Sequence, residues 1–253
     1  MPDANRIHPR GDNHNLAYRI QDGRGPCVLW LGGFASDMTG TKAQTLADWA
    51  QAQGRAFLRF DYSGHGASSG RFAEGTIGLW REDALAVLDE LVQGEAVLAG
   101  SSMGGWIACL LALVRPERIK ALVLIAPAAD FTEKLIWPRL TDEQRREILI
   151  EGAWTRPSAY EAEGLTITRD LIEDGARWSI LPGPVAIDVP VRILQGGEDE
   201  DVPWRHALGL FQALESRDAV FSLIKDGDHR LSRPQDLERI VRAVEELCER
   251  SET

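Results

Sequence analysis

The run Ala96–Val114, AVLAGSSMGGWIACLLALV, decides how the rest of the chain is read. Ala96 to Ala99 form a short apolar strand. A tight turn follows, and then an apolar helix of at least two turns. Gly100-Ser101-Ser102-Met103-Gly104 in the turn fits G-x-S-x-G with Ser102 at its centre. A nucleophile on so sharp a strand-to-helix turn takes a strained backbone, and side chains two positions away on either side would collide with their surroundings, so glycine is required there. The helix N-terminus behind it presents free backbone N–H groups to any oxyanion formed at the turn.

The spacing alone is weak, because Gly66-Ala67-Ser68-Ser69-Gly70 matches it too. That second match leads into the polar loop SGRFAEGT with no apolar helix directly behind it, so Ser68 is read as a loop serine.

Outward from the turn, apolar runs and helical periods alternate. A hairpin is expected over Ile7–Ile20, then a central strand at Cys27–Leu31 and a helix at Lys42–Gln53. Next come a strand at Arg55–Phe60, a helix at Ile77–Val92 and, beyond the opening run, a strand at Ile119–Ile125. Strict alternation implies a doubly wound, mostly parallel sheet. It breaks over residues 131–186, a tryptophan-rich stretch read as a small helical lid insert in a single domain whose core is 1–130 and 187–253. Within it, Thr141-Asp142-Glu143-Gln144 is a capping box opening a helix to Ile150, and Ser158 is a candidate start for another. The sheet resumes at Val191–Leu194, followed by a helix at Trp204–Leu214, a strand at Ala219–Ile224 and a last helix at Pro234–Cys248.

Composition narrows the function classes. A net charge of −11 argues against nucleic acid and anionic membrane surfaces as partners. Met103–Val114, the longest apolar run, is too short to span a bilayer. Cys27, Cys109 and Cys248 lie in apolar segments without metal-ligand spacing and are expected to be buried free thiols. Residues 1–18 contain no apolar signal region, and Asp3 and Asp12 speak against a mitochondrial presequence. The expected location is cytoplasmic, with no metal and no cofactor.

Functional groups in such a sheet gather at the carboxyl ends of its strands. A nucleophilic serine needs a base, and the base an acid that holds its tautomer, in the chain order serine, acid, histidine. Of the five histidines only His229 follows the last strand. His8 and His14 lie in the polar N-terminal segment, His65 in a loop before the turn and His206 inside a helix. Asp199 is the expected acid and Asp130 the alternative, while Asp201, just before Val202-Pro203, reads as a helix N-cap and Asp228 as pointing elsewhere. The oxyanion donors are expected to be the N–H of Met103 and that of Phe34, in the Gly32-Gly33-Phe34 loop after the first long parallel strand.

The motifs MTGTKA (Met38–Ala43), RFDYSGHGASSG (Arg59–Gly70), GSSMGGW (Gly100–Trp106), EGAWTRPSAY (Glu151–Tyr160), GGEDEDVPW (Gly196–Trp204) and DHRLS (Asp228–Ser232) run from about residue 27 to the end. With them the chain resembles the α/β-hydrolase superfamily, and within it the branch of the mitochondrial palmitoyl-protein thioesterases that also cleave acyl glucuronides. The resemblance implies the triad Ser102, Asp199 and His229. It also implies a serine hydrolase cleaving small-molecule acyl esters or thioesters through an acyl-enzyme. Gly32-Gly33 departs from the His-Gly or Pro-Gly of many relatives while keeping the backbone donor, and a targeting extension like that of the mitochondrial branch is not expected. Trp137 and Trp154 in the insert are expected to line the acyl site. A peptidase or carbon–carbon hydrolase on the same triad, or a ligand-binding module on this scaffold, are the competing readings; the oligomeric state is not legible.

Overall fold

The computed structural model describes residues 4–11, 14–156 and 164–250. The N-terminal hairpin forms from β1 (Arg6–Pro9) and β2 (Asn15–Gln21), antiparallel with Ile7 opposite Ala17. Alternation then runs through β3 (Arg24–Leu31), α1 (Thr41–Gln53), β4 (Arg55–Phe60), α2 (Ile77–Leu91), β5 (Ala96–Ser101), α3 (Met103–Val114) and β6 (Ile119–Ile125). The insert contributes α4 (Asp142–Glu151), β7 (Ala153–Arg156), β8 (Leu165–Thr168) and α5 (Arg169–Arg177). β9 (Val191–Gly196), α6 (Trp204–Ala213), β10 (Ala219–Ile224) and α7 (Pro234–Glu249) complete the chain.

The sheet has eight strands in the order β1-β2-β4-β3-β5-β6-β9-β10, and β3 to β6, β9 and β10 run parallel. The chain steps from β3 outward to β4, then returns to the other side of β3 with β5, so strand order reverses between β3 and β5. The crevice at the carboxyl ends of these two neighbours is the topological switch point, where open α/β sheets bind ligands.

Continuous apolar strands are covered on both faces. In β3, Cys27, Leu29 and Leu31 join the cluster with α2 and α3, while Val28 and Trp30 join the one with α1 and α7. β5 splits likewise, Ala96 and Leu98 to one side and Val97 and Ala99 to the other. Ten of the twelve residues of α3 are buried, as its apolar composition on every face requires.

The insert holds strands where the sequence reading expected only helices. The Thr141 capping box forms, its hydroxyl accepting from Gln144 N–H and the Gln144 amide returning to Thr141 N–H. Beyond it, however, the chain makes an antiparallel hairpin of β7 and β8 with Trp154 opposite Ile167. In β8, Leu165 and Ile167 alternate with threonines, a pattern too short to mark a strand. The helix start at Ser158 falls outside the described residues.

Two carboxylates tie the insert to the sheet domain. Asp130, fully buried just beyond β6, accepts from Ser179 Oγ (2.6 Å), Ile180 N (2.9 Å) and Leu181 N (2.8 Å). Asp174 in α5 accepts from Gly78 N at 2.6 Å in the first turn of α2, a position where the helix dipole favours negative charge. Arg81 of α2 lies over the Trp178 ring at 4.5 Å. Among the described residues no helix is long and apolar enough to cross a membrane.

Candidate active site

Ser102 sits between β5 and α3 with φ 54° and ψ −117°, a conformation that side-chain-bearing residues rarely adopt. Its backbone is held on three sides. Ser102 N–H donates to the Ile125 carbonyl (2.9 Å), and its own carbonyl accepts from Gly105 N (2.9 Å) and Ala128 N (3.0 Å). The flanking glycines are sterically required: a Cβ on Gly100 would lie 2.3 Å from the Gly104 carbonyl oxygen, and one on Gly104 2.1 Å from that of Leu31.

His229 reaches the turn from the loop after β10. Its Nε2 lies 3.1 Å from Ser102 Oγ and its Nδ1 2.8 Å from Asp199 Oδ2. A carboxylate only accepts, so Nδ1 carries the hydrogen and Nε2 is left to accept from the serine hydroxyl. Asp199, its side chain fully buried, also accepts from Val202 N at Oδ1 (2.8 Å) and from Gln195 Nε2 at Oδ2 (3.0 Å). A hydroxyl joined to an imidazole whose far nitrogen is fixed by a buried carboxylate is chemically able to lose its proton as it attacks a carbonyl.

Asp130, the alternative acid, is committed to the insert and does not approach His229. Asp228 accepts from Leu231 N and so faces its own turn. Asp201 does not cap α6 as expected. The N-cap position falls on Pro203, whose ring has no acceptor, and no side chain caps the helix; the Val202 N–H just before it goes to Asp199. Asp199, Asp201 and His229 are grouped closely enough for a metal ion, but both Asp199 oxygens are already committed to protein donors.

Gly33 runs against the nucleophile: a methyl built on it would lie 3.5 Å from Ser102 Cβ. Phe34 follows, with its ring at 4.9 Å from Phe72, 5.5 Å from Phe131 and 5.8 Å from Trp80. Met103 opens α3, so its N–H is a first-turn donor without an intrahelical acceptor. Trp137 and Trp154 are half-buried and pack against the main core cluster. Arg145 stacks on Trp137 at 5.6 Å and donates to its carbonyl. Among the described residues no hydrogen bond or ring contact links either tryptophan to the triad.

Ser68 is a structural hydroxyl, donating to the Asp61 carbonyl (2.6 Å) and accepting from Ala17 N (2.8 Å). The three cysteines are free and buried, and burial pushes the Cys27 and Cys109 thiols up to about 12, which removes them as nucleophiles. Sequence reasoning passed over Gln195, which braces Asp199, and over the aromatic cluster of Phe34, Phe72, Trp80 and Phe131. Gln195 lies in the buried strand β9, and no local pattern marks its contact with Asp199.

Residues 26–155 match the family model described as "Serine aminopeptidase, S33". A palmitoyl-protein thioesterase of mouse, ABHD10, named as mitochondrial, is 38% identical over 96% of this chain and 82% of its own length. The chain belongs to the α/β-hydrolases of this family. Among solved structures, a hydrolase from Agrobacterium vitis superposes with a TM-score of 0.92 at 44% identity, covering 97% of this chain and 98% of that one. The mouse ABHD10 structure gives 0.90 at 36%, covering 98% and 99%. The chain is thus a hydrolytic enzyme with the α/β-hydrolase fold. The cytoplasmic location expected from the sequence is corrected by the same comparison, since the mouse relative is a mitochondrial protein.

Proposed function

We propose that this hydrolase cleaves acyl esters and thioesters through a covalent acyl-enzyme, with Ser102 as nucleophile, His229 as general base and then acid, and Asp199 as the group that orients His229 and stabilises its charge. The observation that supports this reading is the continuous hydrogen-bonded chain from Ser102 Oγ through His229 to buried Asp199, mounted on a strained turn. Ser102 Oγ attacks the acyl carbon as its proton passes to His229 Nε2. The oxyanion of the tetrahedral intermediate takes the N–H groups of Phe34 and Met103, and the leaving thiol or alcohol departs with the proton. Water then repeats the sequence on the acyl-serine.

Residues 131–186 act as the lid of a core made of 1–130 and 187–253. Trp137 and Trp154 are the residues in it that select the acyl chain. Similarity over nearly the whole chain to the mouse relative, named as a palmitoyl-protein thioesterase, supports long acyl thioesters as the first substrates to try. Acyl glucuronides are the second substrate class to try, for the insert carries Arg139 and Arg146 as candidate partners of a carboxylate.

A panel of p-nitrophenyl esters of rising chain length, beside an acyl-CoA, a palmitoylated peptide, an acyl glucuronide and an aminoacyl p-nitroanilide, tests the reading. Hydrolysis of the esters and of at least one thioester, lost in Ser102→Ala together with fluorophosphonate labelling, is the expected result. Turnover confined to the anilide would replace it with a peptidase.

A further inference from the structure

His65 is buried, 4% exposed, and the mechanism above does not use it. It sits in the loop after β4, enclosed edge-on by the rings of Tyr62 (5.8 Å), Phe72 (5.1 Å) and Trp80 (5.2 Å). Both ring nitrogens are engaged. Nε2 lies 3.2 Å from the backbone N of Ala35, and Nδ1 lies 3.2 Å from the Ser63 carbonyl oxygen. Ala35 N–H can only donate, so Nε2 is the acceptor and Nδ1 carries the hydrogen that goes to Ser63. The ring is therefore a neutral imidazole in one fixed tautomer, and burial lowers its pKa to about 4, in keeping with that state.

Ala35 is the residue after Phe34, and its φ of 55° lies in the left-handed region, where a non-glycine residue needs external support. The hydrogen bond to His65 fixes the Phe34–Ala35 peptide plane. On the other side the Phe34 ring is held by Phe72 and Trp80, the same rings that enclose His65. The backbone on one flank of Phe34 and the side chain of Phe34 are thus referred to a single rigid cluster.

We infer that His65 is a positioning residue for hydrolysis, accepting the Ala35 N–H so that the neighbouring Phe34 N–H is aimed at the oxyanion formed on Ser102. The inference rests on the oxyanion reading given above. It also accounts for how Gly32-Gly33, an inherently mobile pair, precedes a donor that must not move: the rigidity is supplied from the β4 loop, about thirty residues further along the chain.

The test compares two polar replacements. His65→Gln carries an amide oxygen to the place of Nε2 and restores the acceptor for Ala35. His65→Asn reaches only Ser63. With p-nitrophenyl acetate, His65→Asn is expected to lose about ten- to a hundred-fold in kcat with KM within about two-fold, the signature of a contact felt in the transition state, while His65→Gln stays within about three-fold of the parent. Inhibition by an alkyl trifluoromethyl ketone, which forms an oxyanion on the serine, should weaken in His65→Asn in parallel with kcat/KM. Binding of the matching methyl ketone should not. Both variants retaining parental kcat, or both losing it equally, would overturn the inference. If Ser102→Ala, run alongside, keeps its activity, the serine mechanism itself is wrong; if it is dead while His65→Asn is fully active, only the role of His65 is.

Discussion

Ser68 and Ser102 share one five-residue spacing, and their surroundings decide what each hydroxyl does. Ser68 bridges Asp61 and Ala17, so Ser68→Ala should cost about 1–2 kcal/mol of stability through an orphaned Ala17 N–H and leave turnover intact. Ser102→Ala should do the reverse, abolishing hydrolysis at nearly unchanged melting temperature. Reversed outcomes would dismantle the assignment of the turn. Asp199→Asn should lower kcat by about 10³–10⁴-fold with little change in KM, because an amide at that position no longer fixes the His229 tautomer. Asp201→Asn, at an exposed carboxylate, should stay within about three-fold of the parent; a loss on the scale of Asp199→Asn would move the acid to Asp201. These residues were legible in the sequence because the chemistry needs a fixed chain order and fixed places at strand ends. Gln195 and His65 were not legible. Each acts on a group supplied by the fold, the carboxylate of Asp199 in one case and the backbone N–H of Ala35 in the other. No local spacing records such a partner.

Among the elements, the strands and helices of the sheet domain were readable from period and apolarity, since burial on both faces leaves unbroken runs such as those of β3 and β5. The insert was read less well. Its hairpin is short and half-covered, so Trp154 and Ile167 mark no clean run, and only the capping box of α4 stood out. Asp130 shows what such an element costs in sequence terms. A residue that looks like a catalytic carboxylate at a strand end instead receives three donors from segment 179–181. Asp130→Asn keeps a side chain that tolerates its φ of 54° but turns one acceptor oxygen into a donor facing other donors. The expected loss is about 1–3 kcal/mol of stability, with faster amide exchange in α5 than in β5 and a kcat reduced far less than by Asp199→Asn. Measured kcat values for Asp130→Asn and Asp199→Asn that fall equally would reinstate Asp130 as a catalytic acid.

At the scale of the whole molecule, burial of ionisable groups links the site to the pH dependence of folding. His65 has its pKa lowered by burial from 6.5 to about 4. Between those values the unfolded chain binds a proton that the folded chain refuses, so stability falls as pH drops from 6.5 to 4 and changes no further below 4, where both states are protonated. The shift corresponds to roughly 3 kcal/mol at most. His206 is lowered in the same direction by burial. Asp61 and Asp83 are raised by burial and act oppositely, since the folded chain then holds protons above the ordinary carboxylate range and gains stability as pH falls into it. Tyr62, which faces His65, is pushed well up by its own burial and stays neutral throughout. These contributions overlap in any single melting curve, so the measurement is a difference. Denaturant unfolding of the parent and of His65→Gln is followed from pH 7 to pH 4. The common terms cancel, and the parent should lose about 2–3 kcal/mol relative to the variant across that window, because protonation turns Nε2 into a donor against the Ala35 N–H. A difference that stays flat over the same range would mean that the folded protein protonates His65 as easily as the unfolded chain does, and that the imidazole is not held as the acceptor its surroundings require.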